Sequence, residues 1–585
     1  MDVRIESVRT IEIRSEGAKP LVFLRFLDDI NTIFNCIFEG TSMPSKPEGV
    51  RRYIVMSKDG YLAEPLDTAN LQPSTSTIRL AARARVAAPA PQMRVLDSLH
   101  DNGPKLVEMA PEGELSLRLS SPDLKIIPEV FYHRQWERFR VHQRPPRPAA
   151  KGTAVKKTTA KKASGKRTAR KADASRVRLA ATANIAATRF TVSVVARSGG
   201  APIEGAHIVA FTNFAARQGA EATTGANGHA TLNLLPPNQP LERVYVYAPA
   251  GYWGFYATRT TGANLAEIKL TSIDVSDPTL LLTQLYRRLP TSAGDGVTVA
   301  IIDSGVDGTH PDLTNVTGGL NCVSDEVRAD PEAAQNWRPA LTEGEHGTHV
   351  AGIVGGRGPA GGFRGVAPGV KLRSYRVFPD HPRPPPNNGA SNFDIAKAID
   401  TAVADKCDII NMSLGGGPKD DLTRAAIDRA IAAGVVVIAA AGNDDRSPVS
   451  FPAAFVECVA VSAMGRVGTF PKSSIGTSNV AKPKGKPQTG DFIADFSNFG
   501  PEIDTTGAGV EIVSTLPGTG HGSMSGTSMA CPAVAGFAAY LLAKDPALKQ
   551  KSGSSRSRAL KDALYAACKP ENFGRDYEGF GLPLP

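Results

Sequence analysis

The C-terminal half of this 585-residue chain predicts an α/β fold, a doubly wound, mostly parallel sheet with helices on both faces. Two observations carry the prediction. Apolar runs recur at Val297–Ile302, Cys407–Met412, Val435–Ala441 and Cys458–Ala463. Helix-period stretches, Phe393–Lys406 and Thr423–Ala433, fall between them. Near-continuous apolar strands alternating with amphipathic helices are the pattern of parallel βαβ units, whose strands are buried on both faces. In such sheets chemistry collects beyond the carboxyl ends of the strands. Asp303 and Ser413 stand where two strands run out, and Asn443 follows a third. Small-residue-rich stretches, Thr348–Gly355 and Met529–Leu542, follow His346 and Ser528 and predict closely packed, buried helices. A helix starting at Ser528 aims the positive end of its dipole at that hydroxyl.

Three short blocks hold complementary chemistry: Val299-Ala-Ile-Ile-Asp-Ser-Gly-Val-Asp307, His346-Gly-Thr-His-Val-Ala-Gly352 and Gly526-Thr-Ser-Met-Ala-Cys-Pro532. A serine hydroxyl is a weak nucleophile at its free pKa. It needs a base within hydrogen-bond reach and a carboxylate that fixes the tautomer of that base. Taken singly, a strand-end aspartate, a histidine among glycines and a serine at a helix start are ordinary structural features. Together, in the order Asp303, His346, Ser528, they follow the chain order of subtilisin-type triads. Over about residues 285–585 the chain thus resembles the subtilase (subtilisin-like) serine proteases.

The resemblance implies a serine endopeptidase acting on protein or peptide substrates through an acyl-enzyme, with catalytic residues Asp303, His346, Ser528 and Asn443. Ala439-Ala-Ala-Gly-Asn443 matches the family segment whose asparagine donates to the oxyanion, beside the Ser528 N–H. Ser413, Leu414, Gly415 and Gly416 resemble the family's substrate-binding edge, where an extended peptide adds as a strand, and Ala441 and Gly442 adjoin it. His349 lies three residues after His346, but the block reads His-Gly-Thr-His and lacks the glutamate of a zinc-protease helix. No metal and no cofactor are expected. The loop Arg357-Gly-Pro-Ala-Gly-Gly-Phe-Arg364 offers two cations and no carboxylate where many family members bind calcium, an ion that takes clustered oxygens. Asp444 and Asp445 follow the Asn443 block and read either as selectors of a basic substrate residue or as solvated loop carboxylates. Phe451-Pro452 falls where the family often carries a cis-proline.

The rest of the chain divides by composition. The net charge of +10 suggests a nucleic-acid partner until it is located: Arg144–Arg178 holds thirteen Lys/Arg and one acid, a net +12, so the remainder is slightly negative. Residues 141–180 lack the apolar content to fold and read as a disordered basic linker. Such a segment serves as a solvated spacer, a polyanion contact or a processing site, and it has no interleaved aromatics for base stacking. Residues 185–272 carry short strand-like runs, among them Ile208–Phe211 and Arg243–Tyr247, with an Asn227-Gly228 hairpin turn. They resemble carboxypeptidase-regulatory-like or immunoglobulin-like β-sandwich modules. Residues 1–140 form an N-terminal region, with a small α/β propeptide-like unit from about residue 90 whose stretch Ile127–Tyr132 is expected to block the cleft; a constitutive structural role is the alternative. Leu21–Phe26 predicts a further strand.

Met1-Asp-Val-Arg-Ile-Glu lacks the basic and apolar regions of a secretory signal, and no run approaches a membrane span. The six scattered cysteines (Cys36, Cys322, Cys407, Cys458, Cys531, Cys568) read as reduced, buried thiols. A cytoplasmic location follows as the expectation, with non-classical secretion as the other route. Oligomeric state is not legible. A catalytically silent binding protein, using the linker or the sandwich, is the competing functional class.

Overall fold

The computed structural model describes residues 2–7, 10–14, 49–58, 93–101, 103–141, 188–234, 240–358, 362–382 and 387–585. The Arg144–Arg178 linker, Leu21–Phe26 and Cys36 lie outside them.

The C-terminal half is built on a nine-stranded sheet. Its parallel core runs Val316–Asn321, Lys371–Arg376, Thr298–Asp303, Ile409–Met412, Val436–Ala440 and Val459–Arg466, with Thr505–Ala508 also parallel to the last strand. Asp491–Ala494 and Val480–Lys484 add an antiparallel edge. Strand alternation separates two cores. Val299 and Ile301 pack toward the helices Glu345–Gly355 and Thr527–Lys544. Ala300 and Ile302 pack toward Asn392–Ala404 and Asp421–Ala432. Both faces are therefore covered, which is why the strands read as apolar runs without polar alternation. The second helix pair starts on side-chain caps, Ser391 accepting from the Asp394 N–H and Asp420 from the Thr423 N–H.

Residues 188–270 form a four-stranded sheet, ordered Gln218–Thr223, His207–Asn213, Leu241–Tyr247, Phe255–Thr260, which faces a three-stranded sheet of His229–Leu234, Thr188–Ala196 and Glu267–Leu270. Ile208, Ala210, Val244 and Val246 fill the space between the sheets. The alternate residues Val209, Phe211 and Tyr245 are buried on the opposite face, in a cluster with Ile475 of the C-terminal half. This sheet is thus a wall shared by two units.

The N-terminal unit needs a correction. The sequence places its compact part from about residue 90, yet Arg51–Ser57 is a central strand of its antiparallel sheet, paired with both Lys105–Met109 and Leu124–Pro128. Its partners lie some fifty to seventy residues away in sequence, so no local turn announces it. Tyr53 and Val55 face the helix Pro111–Ser120 side, while Ile54 and Met56 join the core of the C-terminal half. The stretch expected to block the cleft is divided. Of Ile127–Tyr132, the first residues belong to the unit's own sheet, and the strand Phe131–Arg134 is the one that enters the C-terminal half.

Candidate active site

Asp303 closes the strand Thr298–Asp303, and His346 is the second residue of the helix Glu345–Gly355. Helix and strand meet closely because position 347 is glycine: a Cβ there would stand 2.3 Å from the Gly305 carbonyl oxygen. The result is a 2.7 Å contact between His346 Nδ1 and Asp303 Oδ1, with both residues buried. A carboxylate only accepts, so Nδ1 carries the proton and Nε2 keeps its lone pair. Nε2 has no hydrogen-bond partner among the described residues. The Trp136 ring stands edge-on to the imidazole, with centroids 5.3 Å apart.

Ser528 lies in the first turn of the helix Thr527–Lys544. Its hydroxyl donates to the Ser413 carbonyl at 2.9 Å and does not bond to His346. Catalytic hydrogen bonds commonly form only once a substrate is engaged. Ser413 is held in turn: its hydroxyl donates to the Ser528 carbonyl at 2.9 Å and accepts from Asn411 Nδ2 at 3.0 Å.

Asn443 is oriented by Thr527, whose N–H and hydroxyl both donate to Asn443 Oδ1 at 2.9 Å. That fixes the amide flip and turns Nδ2 the other way, where it is buried without a partner among the described residues. Thr527 was invisible as an orienting residue from sequence alone, although it sits beside Ser528 in the same block. Gly442 donates to the Thr527 hydroxyl at 3.2 Å, and the Ala441 carbonyl accepts from Ser450.

The chain itself threads this site. Arg134 pairs with Leu414 and His133 with Gly415, antiparallel, while Phe131 and Tyr132 pair with Ser391 and Ala390 on the other side. Beyond that strand the Gln135 N–H donates to the Ser413 carbonyl at 3.3 Å, and the Gln135 carbonyl accepts from the Ser528 N–H at 2.9 Å. The Glu137 N–H donates to Ser525 at 2.7 Å. Gly526 makes room for this passage, since a Cβ there would stand 2.3 Å from the Gln135 oxygen and 2.7 Å from Trp136 Cα. The same Cβ position is 3.1 Å from Asn443 Nδ2, so the amide and the Gln135 carbonyl border one small space. The Gln135 side chain accepts from the Asn443 N–H at 3.1 Å and lies against Gly415 and Gly416. Tyr132 is fully buried, its hydroxyl on the Asp420 carboxylate and 3.1 Å from the Pro418 carbonyl.

His349 is buried with Nε2 3.1 Å from the Gly522 carbonyl, and burial drives its pKa down to about 3, so it is neutral. Asp444 accepts from Asn498 Nδ2 at 3.2 Å. Burial, with Asp495 nearby, raises the Asp445 carboxyl. His310, Asp312 and His521 converge closely enough to hold a metal. Their atoms are already matched: His310 bonds the Asp312 N–H and the Gly520 carbonyl, and Asp312 Oδ2 accepts from His521 and from the Phe363 N–H. The Phe451–Pro452 bond is cis. The five described cysteines are free and buried, and among the described residues no helix is long and apolar enough to cross a membrane.

A hydroxyl, an imidazole bonded to a buried carboxylate, and N–H donors around a carbonyl are the parts of nucleophilic acyl transfer. A family model described as the subtilase family matches residues 294–580. Subtilisin of Bacillus pumilus is 36% identical over 258 residues, covering 43% of this chain and 79% of the relative. Subtilisin E of Bacillus subtilis (strain 168) is also 36% identical over 258 residues, but there the chain spans 57% of the relative's length. The major intracellular serine protease of Bacillus subtilis (strain 168) is 35% identical over 255 residues, 42% of this chain and 69% of the relative. With the family's model and its curated members matching the same region that holds the three blocks, this chain belongs to the subtilase family.

Proposed function

We propose that the chain is a serine endopeptidase held latent by its own N-terminal region. The observation that carries this reading is the pose of Gln135–Trp136. Its carbonyl accepts from the Ser528 N–H at 2.9 Å, on a strand paired antiparallel to Leu414–Gly415, as a bound substrate's would. His346 Nε2 takes the proton from the Ser528 hydroxyl as the oxygen bonds to the Gln135 carbonyl carbon. Asp303 holds the imidazole and stabilises its cation. The oxyanion meets the Ser528 N–H and the Asn443 amide. His346 then gives the proton to the Trp136 nitrogen as the C–N bond breaks, and water hydrolyses the acyl-enzyme. In this reading Gln135 fills the first pocket and Tyr132 the fourth, so the uncut segment excludes other substrates.

The test uses a fluorophosphonate serine-hydrolase probe on full-length protein and on Ser528→Ala, with intact mass read in parallel. Labelling of the wild type that appears together with cleavage after Gln135, and neither event in the variant, is the expected result. Labelling of uncut protein would remove the latency. No cleavage and no labelling, even after trimming the segment with a second protease, would leave a silent binding protein.

A further inference from the structure

Past Trp136 the threaded segment leaves the C-terminal half and lies on the four-stranded sheet of the sandwich. The Phe139 ring packs on Tyr245 and Phe214 at centroid distances of 4.8 and 5.1 Å, and the Arg217 guanidinium covers it at 4.6 Å. The Phe139 N–H donates to the Tyr247 hydroxyl at 2.6 Å. The flanking arginines meet acids on both walls: Arg138 bonds Glu345 at 3.0 Å, and Arg140 lies 3.9 Å from Glu221 of the sandwich and 3.8 Å from Glu343. Glu345 directly precedes His346, so this row of acids begins at the reacting centre.

The sandwich is fixed to that centre. The Gly251 N–H donates to His521 and the Tyr256 N–H to Ser473 at 2.7 and 2.8 Å, and Trp253 is buried in the core of the C-terminal half. An outer sheet face carrying Val209, Phe211 and Tyr245 would be a large exposed apolar patch on a free module. Here it is closed on one side by Ile475 and on the other by Phe139 and Val141. The second of these covers is the threaded segment itself, which belongs to neither unit.

We propose that the sandwich forms the far leaving-group side of the substrate cleft. It selects peptides with an aromatic residue at the fourth position after the scissile bond and arginine at the third and fifth. The inference rests on the endopeptidase reading above. The aromatic anchor supplies contact area in a desolvated pocket, while the half-exposed arginine–glutamate pairs contribute register and discrimination more than affinity.

The test compares two internally quenched peptides on self-cleaved full-length protein. One copies Tyr132–Val141 and the other stops after the Glu137 equivalent. The longer peptide should have the higher kcat/KM, by about tenfold, and Phe214→Ala should abolish that advantage without changing the shorter peptide. Phe214 is only half-buried, so its truncation spares the sandwich core. Equal rates in the wild type overturn the proposal, as does an equal loss on both peptides in the variant. A slower longer peptide also overturns it, because the protein's own residues 136–141 would then stay docked as a cis cover. If neither peptide is cut, the endopeptidase reading fails on its own. Fluorescence anisotropy of a labelled Trp136–Val141 peptide, on protein carrying Phe139→Ala to empty the aromatic site, then decides the surface: weaker binding when Phe214→Ala is added supports it, and equal binding refutes it.

Discussion

Asn443 shows how little a residue needs to do once its neighbours have set it. Thr527 places two donors on its side-chain oxygen, and the amide nitrogen is left bordering the Gln135 carbonyl, which becomes the oxyanion in the proposed reaction. Preorganised donors of this kind act without reorganisation cost in a water-poor site. Removal of one typically costs about 2.7–4 kcal/mol of transition-state stabilisation. Asn443→Ala is therefore expected to lower kcat by about 10²–10³ with KM nearly unchanged, measured on a peptide substrate after cleavage of the chain. A fall in KM-linked binding alone would place Asn443 in ground-state recognition instead. At this scale the sequence was highly legible. The strand end at Asp303, the helix starts at His346 and Ser528, and the loop after Val436–Ala440 that carries Asn443 are each written in a local block. Thr527, Gln135 and Trp136 were not legible, because their roles exist only through partners hundreds of residues away or through a side-chain rotamer.

The threaded element adds a pH dependence. Glu137 follows the Gln135–Trp136 bond, and its carboxylate oxygen is buried without a partner although the residue is partly open to solvent. Burial, with the charges of Asp445, Glu511 and Asp495 adding to it, raises its pKa from the ordinary 4.5 to about 8. A carboxyl raised in the seated state takes up a proton on seating. Its contribution is fully present below about 4.5, declines as pH rises, and is gone above about 8. In Ser528→Ala, hydrogen-exchange protection of residues 131–139, corrected for intrinsic rates, should fall between about pH 4.5 and 8, and Glu137→Gln should flatten the profile. Protection that is level in both proteins would mean the carboxylate finds solvent. The predicted strands and helices of the C-terminal half agree with the observed ones to within a few residues, since their apolar period is written locally. The strands Arg51–Ser57 and Phe131–Arg134 were missed or misplaced because strand pairing is non-local. Arg134 finds Leu414 across 280 residues, and nothing near either of them encodes the match.

On the scale of the molecule, the N-terminal unit and the sandwich both pack on the C-terminal half. The central strand Arg51–Ser57 presents alternate residues to two cores, with Tyr53 and Val55 inside its own unit and Ile54 and Met56 in the core under the helices Asn392–Ala404 and Asp421–Ala432. Polar contacts rim that face: the ion pairs of Arg52 with Asp325 at 2.8 Å and Lys397 with Asp97 at 3.0 Å, and a hydrogen bond between His100 Nε2 and Asp400 at 3.2 Å. These pairs are partly exposed and each adds little, so the apolar face must supply most of the attachment once Gln135–Trp136 is cut. Ile54 is fully buried there, and a carboxylate in its place would lose its water. Ile54→Asp should therefore still permit cleavage, but release the N-terminal piece. On gel filtration after cleavage the wild-type piece should co-elute with the catalytic half and the variant piece should separate, with a matching gain in probe labelling of Ser528. Raised salt should release the wild-type piece only partly, because screening reaches the rim pairs and not the apolar face. Co-elution of the Ile54→Asp piece would shift the attachment to the Phe131–Arg134 strand, whose buried Tyr132 anchor would then be holding the cleaved unit by itself.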